Sequence, residues 1–122
     1  MTDNRLLVVD DDATTRFALQ TPFSRQGWKV SVAATVAEAF DELCRTPAPR
    51  CVILDLNLPD GRGEMILRAV RDARLKTDVA VCSGVEDADR LSAVMAMHPE
   101  ALLAKPLELG PIMHFCQASL TH

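Results

Sequence analysis

The sequence predicts an α/β fold, in which helices cover both faces of a doubly wound parallel sheet. Two observations support this fold class. Short apolar runs alternate five times with segments of helical periodicity along the 122 residues, and the connections between them are short. In addition, the runs at 5–10 and 51–56 are almost continuously apolar, which is typical of strands buried on both faces of a parallel sheet.

Five strands are predicted in this way. The first is "RLLVVD" at 5–10, and the third is "CVILDL" at 51–56. The second, at 28–33, shows some alternation of apolar and polar residues, so we expect it at an edge of the sheet. The fourth and fifth are the apolar runs at 78–83 and 101–104.

Five helices are predicted from helical periodicity, at residues 13–27, 35–46, 63–73, 86–97 and 110–120. Gly27 is placed to end the first helix. Pro22 removes one of its hydrogen bonds, so we expect a kink or a break there. Thr35 and Glu38 form a capping box at the start of the second helix, and Pro111 suits the first turn of the last helix.

The composition excludes several classes of protein. A net charge of −4 argues against direct binding to nucleic acid, and no apolar run is long enough to span a membrane. The first ten residues do not form a signal peptide, because their apolar stretch is short and ends in acid. The four cysteines contain no C-x-x-C pair, which predicts reduced, packed thiols in a cytoplasmic protein. We expect residues 1–122 to form a single domain.

Polar residues follow four of the predicted strands. Asp10 and Asp11 end the first strand, Asp55 lies near the end of the third, Ser83 ends the fourth, and Lys105 follows the fifth. The carboxyl ends of parallel strands lie at one edge of the sheet, where ligands bind in folds of this class. We therefore expect these side chains to converge on one site.

The chemistry of such a site follows from its charges. Three carboxylates in one pocket repel each other, and a hard divalent cation such as Mg²⁺ or Mn²⁺ removes that conflict. Lys105 adds an ammonium group and Ser83 a hydroxyl. A metal, an ammonium, a hydroxyl and a carboxylate together make a phosphoryl-transfer site, in which Asp55 would be the nucleophile and carry an aspartyl phosphate.

Four motifs then identify a family. "LLVVDDD", "VILDLNLPDGRG", "VAVCSG" and "LLAKPLE" occur in this order along the chain. In these motifs the sequence resembles the receiver domain of two-component response regulators, related to the chemotaxis response regulator. The resemblance covers essentially all of residues 1–122, and it implies a flavodoxin-like sheet of five parallel strands in the order 2-1-3-4-5.

The resemblance also implies a role for each site residue. Asp55 would be the phospho-acceptor, Asp11 a direct metal ligand and Asp10 the holder of a metal-bound water. Asn57 would give its backbone carbonyl to the metal, while its side chain faces the phosphoryl group.

On the opposite side of the phosphoryl group, Ser83 would donate a hydrogen bond to it and Lys105 would form an ion pair with it. The Lys105–Pro106 peptide is expected to be cis. The expected donor is a sensor histidine kinase or a histidine phosphotransfer protein, and the signal would pass to an output domain or a downstream protein. Such a domain catalyses only its own phosphorylation and dephosphorylation.

Simpler roles are expected for other residues. Asp12 is predicted to cap the first helix, and Asp60 to be a turn residue. Four apolar residues are expected to face the core, namely Met95, Met97, Leu102 and Met113.

Two positions depart from the family's pattern. Leu102 stands where the family usually has Tyr or Phe, and Gly84 stands where it usually has Ala. Leucine has no ring to move between exposed and buried positions, so we expect a small or differently routed response to phosphorylation.

Three alternative functions are compatible with parts of this pattern. A hydrolase of the haloacid dehalogenase type also uses an aspartate nucleophile, but it needs a second aspartate at the position of Asn57. A nucleotide-binding flavodoxin-like protein needs a Gly-rich loop after the first strand, which this chain lacks. A degenerate receiver that binds partners without phosphorylation is disfavoured by the intact Asp55, Ser83 and Lys105, although Leu102 leaves room for it.

Overall fold

A computed structural model describes residues 4–84 and 88–121. Within this part of the chain, five parallel strands form one sheet. The strands are β1 (Arg5–Val9), β2 (Lys29–Ala33), β3 (Cys51–Asp55), β4 (Asp78–Ser83) and β5 (Ala101–Ala104). Their order in the sheet is β2-β1-β3-β4-β5, so the predicted fold class and strand order are confirmed, including the edge position of β2.

Five helices connect and follow the strands. They are α1 (Ala13–Arg25), α2 (Val36–Leu43), α3 (Glu64–Asp72), α4 (Ala88–Met95) and α5 (Leu109–Ser119). One face of the sheet packs against α2, α3 and α4, and the other packs against α1 and α5. Residues of β1 alternate between the two cores, with Leu7 and Val9 on the first and Leu6 and Val8 on the second.

Most helices and strands begin or end within a few residues of the predicted positions. The largest difference is at α2, which ends at Leu43 rather than at residue 46. The predicted start of the fourth helix, at residue 86, lies outside the described residues. A short antiparallel ladder, Asn57–Leu58 with Gly61–Arg62, was not predicted. No helix in the described ranges has the length and apolar character needed to cross a membrane.

We expected a kink or a break at Pro22, and helix α1 continues through this residue to Arg25, so a break is excluded. The turn that contains Pro22 is held by tertiary packing, because Phe23 is buried and its ring meets that of Trp28 edge-on at 6.2 Å between centroids. The amide of Trp28 also donates to the Phe23 carbonyl at 3.0 Å. Gly27 ends this turn with a φ of 91°, a conformation that glycine adopts without strain.

The predicted helix caps are present. Asp12 accepts from the Thr14 amide at 3.0 Å, and Thr35 accepts from the Glu38 amide at 3.0 Å. In the second cap Glu38 returns its bond to the amide of Ala34 rather than to that of Thr35.

Asp60 does more than the turn role predicted for it. It accepts from the Val36 amide at 2.7 Å and from the Ala37 amide at 3.1 Å. These hydrogen bonds lower the pKa of the Asp60 carboxyl. The loop after β3 is thereby tied to the start of α2.

Two of the four apolar residues predicted to face the core do not. Met95 is 45% exposed and Leu102 is 40% exposed, whereas Met97 and Met113 pack against the two cores. Helix α4 turns Val94 inward, so its neighbour Met95 points outward. On the edge strand β5, Ala101 and Leu103 face the core, which places Leu102 on the opposite and poorly covered side.

The four cysteines are free thiols, and Cys51, Cys82 and Cys116 are buried. Burial raises the pKa of the Cys82 thiol to about 12. Free, packed thiols at these three positions agree with the prediction from the sequence.

We predict that Pro22→Ala stabilises the protein. Alanine restores an amide that can donate to the Ala18 carbonyl, and it fits the helix better than proline by up to about 3 kcal/mol. The free energy of unfolding, measured in urea, should rise by about 1–3 kcal/mol. Thr21→Ala, at the exposed neighbouring position, is the control and should change it by much less. An unchanged or lower value for Pro22→Ala would contradict this account of α1.

Candidate functional site

Three carboxylates meet at the carboxyl edge of the sheet. Asp10 and Asp11 follow β1, Asp55 ends β3, and these two strands are neighbours. One carboxylate oxygen from each residue lies within 4.8 Å of the others. Asp10 and Asp55 are each only 4% exposed, whereas Asp11 is exposed. The parallel register of β1 and β3 thus concentrates negative charge in one place.

Lys105, which follows β5, opposes this negative charge. Seen from Asp55 on β3, β5 lies on the far side of β4. Its Nζ lies 3.1 Å from Oδ2 of Asp55, and its backbone amide donates to the carbonyl of Ser83 at 3.1 Å. Partial burial lowers the pKa of Lys105, but the hydrogen bond and the charge of Asp55 outweigh this effect, so the net pKa is raised. Lys105 is therefore charged at neutral pH. The peptide that joins it to Pro106 is cis, as the resemblance implies.

The Asp10 carboxyl has a raised pKa. Burial is the largest cause, and the charge of Asp55 adds to it. The amide of Asp12 opposes this shift by donating to Oδ1 of Asp10 at 2.9 Å, and Lys105 opposes it through its charge. Arg16 donates to the carbonyl of Asp10 at 2.7 Å, so the backbone of this residue is held by α1.

The chain immediately after Asp55 is tightly packed. The amide of Asn57 donates to Oδ1 of Asp55 at 3.1 Å, and Gly63 donates to the Leu56 carbonyl at 3.0 Å. A Cβ on residue 63 would lie 2.4 Å from the Asp55 carbonyl oxygen and 2.8 Å from the Leu56 Cα. Only glycine permits this approach, which fixes the backbone of Asp55 against the start of α3.

The predicted site residues are placed as follows. Asp10, Asp11, Asp55 and Lys105 line one open cleft of about 530 Å³, together with the start of α1 and the loop before α5. Ser83 ends β4 beside Lys105 but is not among the residues lining this cleft.

Asn57 is also outside the cleft lining. Its backbone contacts Asp55, but its side-chain oxygen accepts a hydrogen bond from Arg90 of α4. Arg90 was not identified from the sequence. It carries no motif, and its contacts with Asn57 and Glu64 span 33 and 26 residues of sequence.

The donor set fits a hard divalent cation. Asp10, Asp11 and Asp55 offer oxygen atoms only, and these oxygens are close enough together to share one ion. Burial, and to a lesser extent the charge of Asp55, raises the pKa of Asp10, and a second positive charge beside Lys105 would relieve the repulsion among the carboxylates. The arrangement can therefore hold a cation and a transferable anionic group next to a buried carboxylate.

Comparison with known sequences places the chain in a family. A family model described as the response regulator receiver domain matches residues 6–117. The chain is similar to the TorCAD operon transcriptional regulatory protein TorR of Escherichia coli (strain K12), with 31% identity over 110 residues that make up 90% of this chain and 47% of TorR. The chain spans about half the length of the first curated relatives that it matches.

Solved structures show the same fold. A two-component response regulator from Clostridium difficile superposes with a TM-score of 0.88 at 18% identity, covering 98% of each chain. A response regulator protein from Burkholderia pseudomallei, whose structure contains a phosphorylated aspartic acid, a calcium ion and citrate, superposes with a TM-score of 0.82 at 22% identity. That match covers 98% of this chain and 69% of the other.

We predict that Gly63→Ala is strongly destabilising. The new methyl group would force Asp55 and Leu56 to move, since backbone atoms lie 2.4 Å and 2.8 Å from its position. Overpacking of this kind costs about 3 kcal/mol, to be measured as the loss in the free energy of unfolding. Gly110→Ala is the matched control, because nothing lies within 4 Å of its Cβ position. Equal effects of the two substitutions would contradict the tight contact at Gly63.

A second prediction concerns Asp10 in the absence of divalent cations. Because its pKa is raised on folding, the wild type loses stability as the pH rises from the ordinary aspartate value of about 4 through the higher folded value. Asp10→Asn avoids this loss, so it should unfold at a higher temperature than the wild type at pH 7, and the difference should shrink below about pH 4.

Asp12→Asn is the control for this experiment, since asparagine caps a helix as well as aspartate does. Saturating Mg²⁺ should then stabilise the wild type more than Asp10→Asn. If Asp10→Asn is the less stable protein at pH 7 without divalent cations, the raised pKa that we attribute to burial of Asp10 and to the charge of Asp55 is contradicted.

Proposed function

The chain belongs to the response regulator receiver domain family, and we propose that its Asp55 accepts a phosphoryl group. The donor is the phosphohistidine of a sensor histidine kinase or of a histidine phosphotransfer protein. One observation carries the proposal: the buried Asp55 carboxylate lies 3.1 Å from Lys105 and within 4.8 Å of two other carboxylates. A single ammonium and a cluster of oxygen ligands suit a group that is itself highly charged.

In the proposed reaction a carboxylate oxygen of Asp55 attacks the phosphorus atom. The bond between phosphorus and the histidine nitrogen breaks, and the nitrogen keeps the electron pair of that bond. The product is an acyl phosphate on Asp55. Lys105 opposes the negative charge of the transferred group, and the contact from the Asn57 amide keeps the carboxylate in place.

We propose Mg²⁺, or Mn²⁺ in its place, as the metal. Asp11, Asp55 and the backbone carbonyl of Asn57 would hold it directly, Asp10 would hold it through a bound water, and further waters would complete its coordination. When bound, the ion neutralises charge on the carboxylates and on the phosphoryl oxygens. The oxygen-only donor set supports this assignment.

Ser83 and Lys105 would respond to phosphorylation. The phosphoryl group adds nearly two negative charges and new acceptor oxygens. Lys105 already contacts the Asp55 carboxylate, and its backbone amide donates a hydrogen bond to the carbonyl of Ser83. A donor hydroxyl from Ser83 is the group that would have to move towards the phosphoryl oxygens, since it does not line the cleft in this structure.

The wider function follows from the family. We infer that residues 1–122 form a single receiver domain that switches the contacts of an output domain or a downstream protein. Beyond its own phosphorylation and dephosphorylation it would act on no substrate. We propose that it works in the cytoplasm, in agreement with its free cysteines, and that it binds neither nucleic acid nor membrane directly.

The test is phosphorylation by a small donor. Purified protein is incubated with acetyl phosphate and Mg²⁺, and the modified residue is mapped by mass spectrometry. We expect modification at Asp55 alone, and none in Asp55→Asn or after removal of divalent cations.

Asp72→Asn, which removes an exposed aspartate at the end of α3, is the control and should be labelled like the wild type. Full labelling of Asp55→Asn, or labelling that survives chelation of the metal, would overturn the proposal.

A further inference from the structure

Arg90, near the start of α4, ties three elements of the fold together. Its guanidinium donates to both carboxylate oxygens of Glu64 in α3, at 2.7 and 2.8 Å. It also donates to the side-chain oxygen of Asn57 at 2.7 Å and to the backbone carbonyl of Leu56 at 2.6 Å. We call these contacts the Arg90 clasp. They join α3 and α4 to the two residues that follow Asp55.

The contact with Leu56 reaches Asp55 through one peptide plane. The carbonyl of Leu56 and the amide of Asn57 belong to the same peptide group, which is rigid and planar. Arg90 holds the carbonyl end of this group, and the amide end donates to Oδ1 of Asp55 at 3.1 Å. A carbonyl that accepts from a cation also makes the amide of the same group a better donor.

The second contact fixes Asn57 itself. Arginine can only donate hydrogen bonds, so the side chain of Asn57 must present its oxygen to Arg90. Asn57 is therefore held at two points, through its side chain and through the peptide group that precedes it. Both contacts restrain the residue whose own carbonyl we have proposed as a metal ligand.

The ion pair within the Arg90 clasp is largely shielded from solvent. The side chains of Arg90 and Glu64 are 22% and 18% exposed, and the hydrogen bond with Arg90 lowers the pKa of Glu64. Two parallel hydrogen bonds between the two side chains fix the orientation of the guanidinium.

We propose that Arg90 is a positioning residue for the Asp55 site. It acts through the Leu56–Asn57 peptide to orient the Asp55 carboxylate and to hold Asn57 as a metal ligand. This inference rests on the proposed function, since it concerns the efficiency of the same site. It assigns to the start of α4 a part in phosphorylation that no motif of the sequence indicates.

A matched arginine elsewhere separates positioning from simple support of the fold. Arg71 of α3 donates to both oxygens of Glu100, at 3.0 and 2.8 Å, and to the backbone carbonyl of His98 at 2.7 Å. Its contacts have the same chemistry as those of Arg90, but they tie α3 to the segment between α4 and β5. Loss of Arg71 should therefore affect stability without affecting Asp55.

The first experiment measures the unphosphorylated protein by NMR. In Arg90→Ala the amide of Asn57 should exchange with solvent faster than in the wild type, and the dissociation constant for Mg²⁺ should rise by about 10-fold, as for loss of other groups that orient a metal ligand. Arg71→Ala should change neither quantity, although both variants should lose stability. The spectra also show whether each variant is folded.

The second experiment measures the rate of labelling by acetyl phosphate at a Mg²⁺ concentration below saturation. Arg90→Ala should be slower than the wild type by about the same factor of 10, and Arg71→Ala should match the wild type. Arg90→Lys should be as slow as Arg90→Ala, because one ammonium cannot hold Glu64, Leu56 and Asn57 together.

The outcomes distinguish this inference from the proposed function. If the wild type neither binds Mg²⁺ nor is labelled at Asp55, the proposed function fails. If the wild type is labelled but Arg90→Ala matches Arg71→Ala in Mg²⁺ affinity and labelling rate, Arg90 only supports the fold and the inference alone is overturned. Full rescue by Arg90→Lys would also overturn it, because charge rather than orientation would then be responsible.

Discussion

The site depends on the ion pair between Lys105 and Asp55. The parallel register of β1 and β3 places three carboxylates within 4.8 Å of one another, two of them buried. Burial, and after it the charge of Asp55, raises the pKa of Asp10. Lys105 reaches across β4 to within 3.1 Å of Asp55, and its ammonium opposes the negative charge that the three carboxylates bring to this edge of the sheet. The same clustered negative charge suits the site to the divalent cation that we have proposed for it.

A second constraint is steric. Gly63 approaches the Asp55 carbonyl too closely for any side chain. The chain therefore leaves β3, forms its short antiparallel ladder and returns to start α3 directly against Asp55. Asp60 in the same loop caps α2, and Glu64 just beyond it binds Arg90. The loop after β3 therefore contacts three helices, which is a physical route by which a change at Asp55 can reach α2, α3 and α4.

The connection from Asp55 to β5, at one edge of the sheet, differs from the one through the loop after β3. Leu102 occupies the position where the family usually has an aromatic residue, and it is 40% exposed on the edge strand. A leucine that is already this exposed gains or loses little buried apolar area between two arrangements, so it shifts an equilibrium between them only slightly. Arg90 contacts Leu56 and Asn57, which joins α4 directly to the residues after Asp55. The small or differently routed response expected from the sequence stays a prediction.

The residue pattern by itself determined the strands and the residues at their carboxyl ends, and the resemblance to the receiver family supplied the order of the strands in the sheet. Apolar runs define the strands, and the parallel arrangement then places Asp10, Asp11, Asp55, Ser83 and Lys105 at one edge, whatever the details of packing. Other features depend on contacts between distant parts of the chain, and hydrophobic periodicity does not predict them. The packing of Phe23 on Trp28 keeps α1 continuous past Pro22, and the turn of α4 that buries Val94 leaves Met95 in solvent. Arg90 contacts Glu64 and Asn57 only when α3 and α4 are packed together. These partners lie 26 and 33 residues before it in the sequence, so no local pattern predicts the contacts.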